Sequence, residues 1–205
     1  MNRGLLSIVG AGGHARVVAA AAIAAGWTIE AFWDDREELW GTFLLGVPIR
    51  GPILSLVEDP GRSAALAIGS NKVRMRLDKA LTGLVYPVIV HPFSWQAPDI
   101  EIGEGSVLFA GSVVQPGARI GRHCIVNTSA SVDHDCCLGD YVQVSPGGHL
   151  AGAVTLAEGV MIGTGACMIP GVHVGAWTTV GAGAVVAKDL PPEVTAIGVP
   201  ARVSG

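Results

Sequence analysis

Group transfer to an amine or hydroxyl needs a base that works near neutral pH. The chain carries six histidines, at positions 14, 91, 123, 134, 149 and 173. His134 is set apart by its neighbours. In Val132-Asp-His-Asp-Cys136 a carboxylate stands on either side of the ring, able to orient it and raise its basicity. His123, His149 and His173 read equally well as surface or corner residues. A second candidate is Gly10-Ala-Gly-Gly-His-Ala15, which fits G-x-G-x-x-A after an apolar run. Such a loop presents backbone N–H groups to a phosphate at a helix N-terminus, although it also suits a plain strand–helix turn. Asp34-Asp35, closing another apolar run, suits a nucleotide base edge or ribose, or a solvated turn. The four cysteines, Cys124, Cys136, Cys137 and Cys167, form no CxxC pair and no zinc-ligand spacing, so neither a metal nor a disulfide framework is expected.

Composition narrows the elements that can position these groups. Charged residues are 15% of the chain, against roughly 25% in an ordinary soluble protein. Glycine, at 29 of 205 residues, is about twice its usual share. Such a chain needs a repeated tight backbone geometry more than long amphipathic helices. A net charge of −4 leaves no basic stripe for nucleic acid, and 50% apolar residues exclude disorder. The start resembles a secretory leader, but Gly12, Gly13, His14 and Arg16 interrupt it. The run from Val17 to Ala25 is also too short to span a bilayer. Folded structure, no membrane span and a cytoplasmic location are therefore expected.

Residues 1–91 alternate strand-like runs (5–9, 28–33, 64–68, 85–90) with helical stretches (14–25 and 72 to about 81), which predicts a small parallel sheet. Residues 92–100 read as a linker. From Ile102 a different rule takes over. Steps of six land on Leu108, Val114, Ile120, Val126, Val132, Leu138, Val144, Leu150, Leu156, Ile162, Met168, Val174, Val180 and Val186, so all fifteen positions are Leu, Ile, Val or Met. The third residue after the anchor is glycine in eight of the fifteen hexads, where a turn demands backbone freedom. One aliphatic anchor per hexad means a solenoid of short flat sides. Three sides make an eighteen-residue coil, seen directly in Gly103, Gly121, Gly139, Ala157 and Gly175. The β-helix is expected over 101–190 with a C-terminal tail over 191–205. Coil stacking places His134 in one column with Pro116, Gly152, Pro170 and Lys188. The bare N–H of Gly152, about 4.8 Å along, can then support an oxyanion.

The hexad pattern resembles the left-handed β-helix (hexapeptide-repeat) acyltransferases. The whole chain is similar to their nucleotide-sugar branch, the sialic acid O-acetyltransferase and bacillosamine or perosamine N-acetyltransferase group. The matching residues are Gly10-Ala-Gly-Gly-His-Ala15, Asp34-Asp35, Ile68-Gly-Ser-Asn-Lys-Val-Arg74, Asn127-Thr-Ser, His134-Asp135, Leu150-Ala-Gly152 and Ile197-Gly-Val-Pro-Ala-Arg202. The resemblance implies an α/β half-Rossmann domain followed by a left-handed parallel β-helix. It implies acetyl-CoA as co-substrate with no metal, and His134 with Asp135 as the catalytic pair, an Asp where a Glu is common. Acetyl-CoA contacts follow at Gln143, Gly152, Thr164 and Ala182, with glutamine where the family usually carries histidine. Because Gln143 lies nine residues, half a coil, from His134, a coenzyme touching both is expected in a groove between neighbouring copies, and a triangular prism suggests a homotrimer. Lys188 and Arg202 suit coenzyme phosphates, or ordinary surface charge. Gly12, Gly13, His14, Asp34, Asp35 and Gly69 would line a nucleotide-sugar site, and Asn127 is a further substrate contact or a structural turn residue. The implied reaction is N-acetylation of a nucleotide-linked 4-amino sugar. Its alternatives are O-acetylation of a sialic-acid-type sugar and a catalytically quiet trimeric binding module.

Overall fold

In the computed structural model, which describes residues 3–204, the chain divides between Pro92 and Phe93. Residues 1, 2 and 205, at the outer limits of the expected domain and tail, lie outside that range.

The N-terminal unit is built on apolar strands short enough to be buried on both faces. Its elements are β1 (Leu5–Val9), α1 (Gly13–Ala24), β2 (Thr28–Trp33), β3 (Phe43–Leu44), β4 (Val47–Arg50), β5 (Ala64–Leu66) and α2 (Asn71–Ala80). The sheet order is β3-β4-β2-β1-β5, parallel except for β3. The chain therefore leaves β1 towards β2 on one side and returns to β5 on the other. This topological switch lies at the carboxyl ends of β1 and β5, where open α/β sheets bind ligands. One face buries Val9, Ala31, Trp33, Ile53, Leu56, Leu66, Leu81 and Tyr86 as a core. The expected strand over 85–90 is not continuous. Pro87 removes a donor, and what remains is a bridge between Val85 and Ser63 plus the two-residue strand Ile89–Val90. The β3–β4 hairpin was not legible, because its turn uses Leu45 and Gly46, both at positive φ (52° and 76°), instead of the usual Asn-Gly.

In the second unit, from Trp95 to Val186, every rung is a two-residue strand, and successive rungs of a sheet pair in parallel eighteen residues apart, as in Ile120↔Leu138↔Leu156↔Val174. Three sheets result. The first runs from Trp95–Gln96 through Ser131–Val132 to Val185–Val186, the second from Glu101–Ile102 to His173–Val174, and the third from Val107–Leu108 through Thr179–Val180. Of the fifteen anchors, all but Ile102 are at most 4% exposed. At about 1.5–3 kcal/mol for a fully buried aliphatic side chain, this column carries much of the unit's stability. The third residue after the anchor has positive φ in fourteen consecutive hexads, from Gly105 to Gly183. Where it is not glycine, as at His123, Asp135, Tyr141 and Trp177, the chain still adopts that conformation.

The expected boundaries need correction at both ends. The supposed linker 92–100 holds the rung Trp95–Gln96, paired with Val113–Val114. Gln96 occupies the anchor place, so the aliphatic signal stops while the backbone continues. At the other end Pro191-Pro192 breaks the hexad. In the supposed tail, Thr195–Ile197 pairs in parallel with Thr179–Val180 at a sixteen-residue offset, then turns back against Arg202–Val203.

Candidate active site

His134 and Asp135 occupy the turn between the first and second sheets. Asp135 takes the left-handed conformation (φ 59°), which aspartate tolerates better than most residues. Its Oδ2 lies 2.8 Å from His134 Nδ1. A carboxylate only accepts, so Nδ1 carries the proton and Nε2 keeps its lone pair free. Asp133 Oδ1 accepts from the His134 backbone N–H at 2.7 Å and fixes the entry to the turn. The Asp135 hydrogen bond raises the His134 pKa above the ordinary histidine value; the negative charges of Asp133 and Asp135 add to this, and partial desolvation opposes it. The imidazole lies over Gly152 on the next coil. A Cβ there would meet Cε1 at 2.5 Å, with Nε2 nearer still. The Gly152 N–H makes no hydrogen bond among the described residues. A free basic nitrogen thus stands beside an unused donor, the pair that acyl transfer from a thioester requires.

The other expected coenzyme residues fall elsewhere on the prism. Gln143 lies on the third sheet between Ile125 and Met161. Its Nε2 donates to Ser145 Oγ at 3.4 Å, while Oε1 is buried without a partner among the described residues. Thr164 and Ala182 are exposed on successive coils just beyond the same sheet, where Gly163 packs against Ala182 N at 2.6 Å from its missing Cβ. Arg202 lies on the strand that closes that sheet. Asn127 follows the third sheet as well, and its Oδ1 accepts from Thr128 N at 2.8 Å. Lys188 is exposed and follows the first sheet, as His134 does. One chain therefore presents His134, Asp135, Gly152 and Lys188 at one corner, and Gln143, Thr164, Ala182 and Arg202 at another.

In the N-terminal unit, Gly10 (φ 105°) brings the first loop against the loop after β5; its Cβ would meet Ile68 Cδ1 at 2.7 Å. Gly12, Gly13 and Gly69 are exposed with open space before them, and no side chain caps α1. This uncapped helix start at the switch point suits an anion. The acidic pair behaves differently from the expectation. Asp34 is mostly buried and both its oxygens serve protein donors: Oδ2 accepts from Ala11 N at 2.8 Å and Arg36 Nη2 at 3.0 Å, Oδ1 from Arg36 Nε at 2.8 Å. The Arg36 hydrogen bond holds its carboxyl below the usual range. Asp34 braces the glycine loop. Asp35 Oδ1 accepts from Ile53 N at 2.8 Å. His14 is held to about 4, first by burial and then by the Arg74 charge, so it is a neutral ring at pH 7. Arg36 was overlooked as a support, and Asp133, expected to orient the ring, holds the His134 backbone N–H instead. Asp133 was visible in the sequence as the second acid beside His134.

The fold and this histidine–glycine corner define a hexapeptide-repeat acyltransferase. Residues 5–81 match the family described as the PglD N-terminal domain. The acetyltransferase domain of PglB from Neisseria gonorrhoeae FA1090 superposes with a TM-score of 0.92 at 39% identity, over 98% of this chain and 99% of that one. PerB from Caulobacter crescentus, solved with CoA and GDP-perosamine, gives 0.92 at 40% identity over 99% and 98%. GDP-perosamine N-acetyltransferase of Escherichia coli O157:H7 is 35% identical over 67% of this chain and 65% of its own length. The chain spans about half or less of the serine acetyltransferases it matches. It belongs to the bacillosamine- and perosamine-type group of left-handed β-helix acetyltransferases. No helix among the described residues is long and apolar enough to cross a membrane.

Proposed function

We propose that this protein transfers the acetyl group of acetyl-CoA to the amine of a nucleotide-linked 4-amino sugar. The observation that carries the mechanism is His134 Nε2, free and basic, over the bare Gly152 backbone with Nδ1 tied to Asp135. The amine attacks the thioester carbonyl and gives its proton to Nε2. Asp135 stabilises the resulting imidazolium, and the Gly152 N–H donates to the tetrahedral oxyanion. The C–S bond then breaks, and the coenzyme A thiolate takes the proton back from His134, leaving the amide. No step calls for a metal.

The glycine loops at the carboxyl ends of β1 and β5 hold the diphosphate on exposed backbone N–H groups. The two corners of the prism support a groove between neighbouring copies, one supplying His134 and Gly152 and the other Gln143, Thr164, Ala182 and Arg202. A triangular prism closes such grooves as a homotrimer, and a cytoplasmic location fits the substrates. The glutamine at 143 donates or accepts a hydrogen bond but cannot act as a second base. The test is thiol release from acetyl-CoA with UDP-, GDP- and dTDP-linked 4-amino sugars and with free and CMP-linked sialic acid, alongside His134→Ala. Turnover of one 4-amino sugar, lost in the variant, is expected. Turnover of sialic acids alone would overturn N-acetylation, and full activity in His134→Ala would overturn the mechanism.

A further inference from the structure

At several left-handed turns the side chain points back over the turn of the preceding coil, where a glycine makes the room. His123 packs into the Cβ space of Gly105, and Trp177 into that of Gly159. Asp135 does the same above Gly117, which lies eighteen residues earlier at φ 72°. A Cβ on Gly117 would stand 2.6 Å from Asp135 Oδ1, a separation real Cβ atoms essentially never show. The backbone beneath cannot recede, because Asp135 N is bonded to Pro116 O at 3.1 Å.

We infer that Gly117 is a positioning residue for acetyl transfer: its missing side chain is what lets Asp135 place Oδ2 on His134 Nδ1. A carboxylate is rigid, so pushing Oδ1 away swings Oδ2 off the imidazole. The displaced group also has somewhere to go. A cavity of about 230 Å³ lined by Gly117, Arg119, Asp135, Cys136 and Cys137 lies alongside, with the Arg119 cation on its wall. The carboxylate would turn towards Arg119, and the imidazole would lose both its orientation and its counter-charge. Gly117 touches no substrate and acts only through Asp135.

This inference rests on the His134–Asp135 mechanism proposed above, so its test must separate the two. Gly171 is a matched control: it occupies the same turn position three coils further on, at φ 74°, and its Cβ would meet nothing within 4 Å. Alanine strains the backbone equally at both sites, but only Gly117→Ala collides with Asp135. Profiles of kcat/KM against pH should be measured by thiol release for wild type, Gly117→Ala, Gly171→Ala, Asp135→Asn, His134→Ala and the Gly117→Ala/Asp135→Asn double variant.

Gly117→Ala is expected to lose roughly 10- to 100-fold in kcat/KM, the scale of an ångström-sized misplacement. Its acid limb should move to lower pH, in the direction of Asp135→Asn, while Gly171→Ala keeps the wild-type profile. The double variant should lose less than the two single variants taken together, because both changes act on one contact. A wild-type profile in Gly117→Ala, an equal loss in Gly171→Ala, or additive losses in the double variant each overturn the inference. Should Gly117→Ala fail to fold, Gly117→Ala/Asp135→Gly is expected to fold, since the collision is gone; failure of that variant too places the fault in the turn and overturns it. Full turnover in His134→Ala overturns the underlying mechanism, whereas loss there with an unaltered Gly117→Ala overturns the inference alone.

Discussion

Gly152→Ala is the most direct probe of the corner. The added methyl would lie 2.5 Å from Cε1 of His134, against an ordinary separation of about 3.5–4 Å. The ring must therefore move by about 1 Å. Nδ1 is tethered to Asp135 and the backbone N–H to Asp133, so the movement is a tilt that lifts Nε2 away from the acceptor. An error of that size costs about 100-fold in rate, or about 2.7 kcal/mol at the transition state. Gly152 is not among the positive-φ residues, so alanine meets no backbone penalty and the fold should survive. Steady-state thiol release with saturating acetyl-CoA reads kcat/KM for the sugar, and a melting curve confirms folding. A folded Gly152→Ala variant within about threefold of wild type would refute the packing of the ring on this glycine as a catalytic requirement.

Three further outcomes follow from the same geometry. The base must be neutral to act, so kcat/KM should fall as pH drops through the raised His134 pKa, and Asp135→Asn should move that limb to lower pH while reducing the plateau. His14 titrates at about 4 when folded against 6.5 unfolded, so the stability it contributes is complete above about pH 6.5 and is lost as pH falls towards 4, by up to about 3 kcal/mol; denaturant titrations of wild type and His14→Gln at pH 7 and 5 would expose a difference that shrinks at the lower pH. Leu156, at 1% exposure, should cost about 2–5 kcal/mol when truncated to alanine, measured as a lower denaturation midpoint with an unchanged m-value.

The β-helix was legible because a solenoid repeats one demand, an aliphatic side chain at every sixth residue, and a repeat survives local exceptions. Its ends were not legible, because Gln96 stands at an anchor place and Pro191-Pro192 shifts the register, while backbone pairing tolerates both. His134 declared itself through the acids on either side. Gly117 did not, since its importance comes from a neighbour one coil on, and nothing adjacent in sequence marks it. Asp34 shows the opposite limit. A charge at a strand end is visible in the sequence, but the Ala11 N–H that occupies it comes from another loop, 23 residues earlier.

The eighteen-residue coil also governs which changes in length the protein can absorb. Removing one whole coil shortens the prism by about one strand spacing, ~4.8 Å, and leaves every later side chain facing the direction it faced before. Removing a single hexad keeps every anchor inside yet turns the rest of the chain by one side of the triangle. A six-residue deletion placed after Gly152 would carry Thr164 and Ala182 from the corner beyond the third sheet back to the corner beyond the second. Such a chain would still stack and bury its core, but Thr164 and Ala182 would no longer share a corner with Gln143. Insertions and deletions in this domain are thus tolerated in multiples of eighteen for function, and in multiples of six for folding alone.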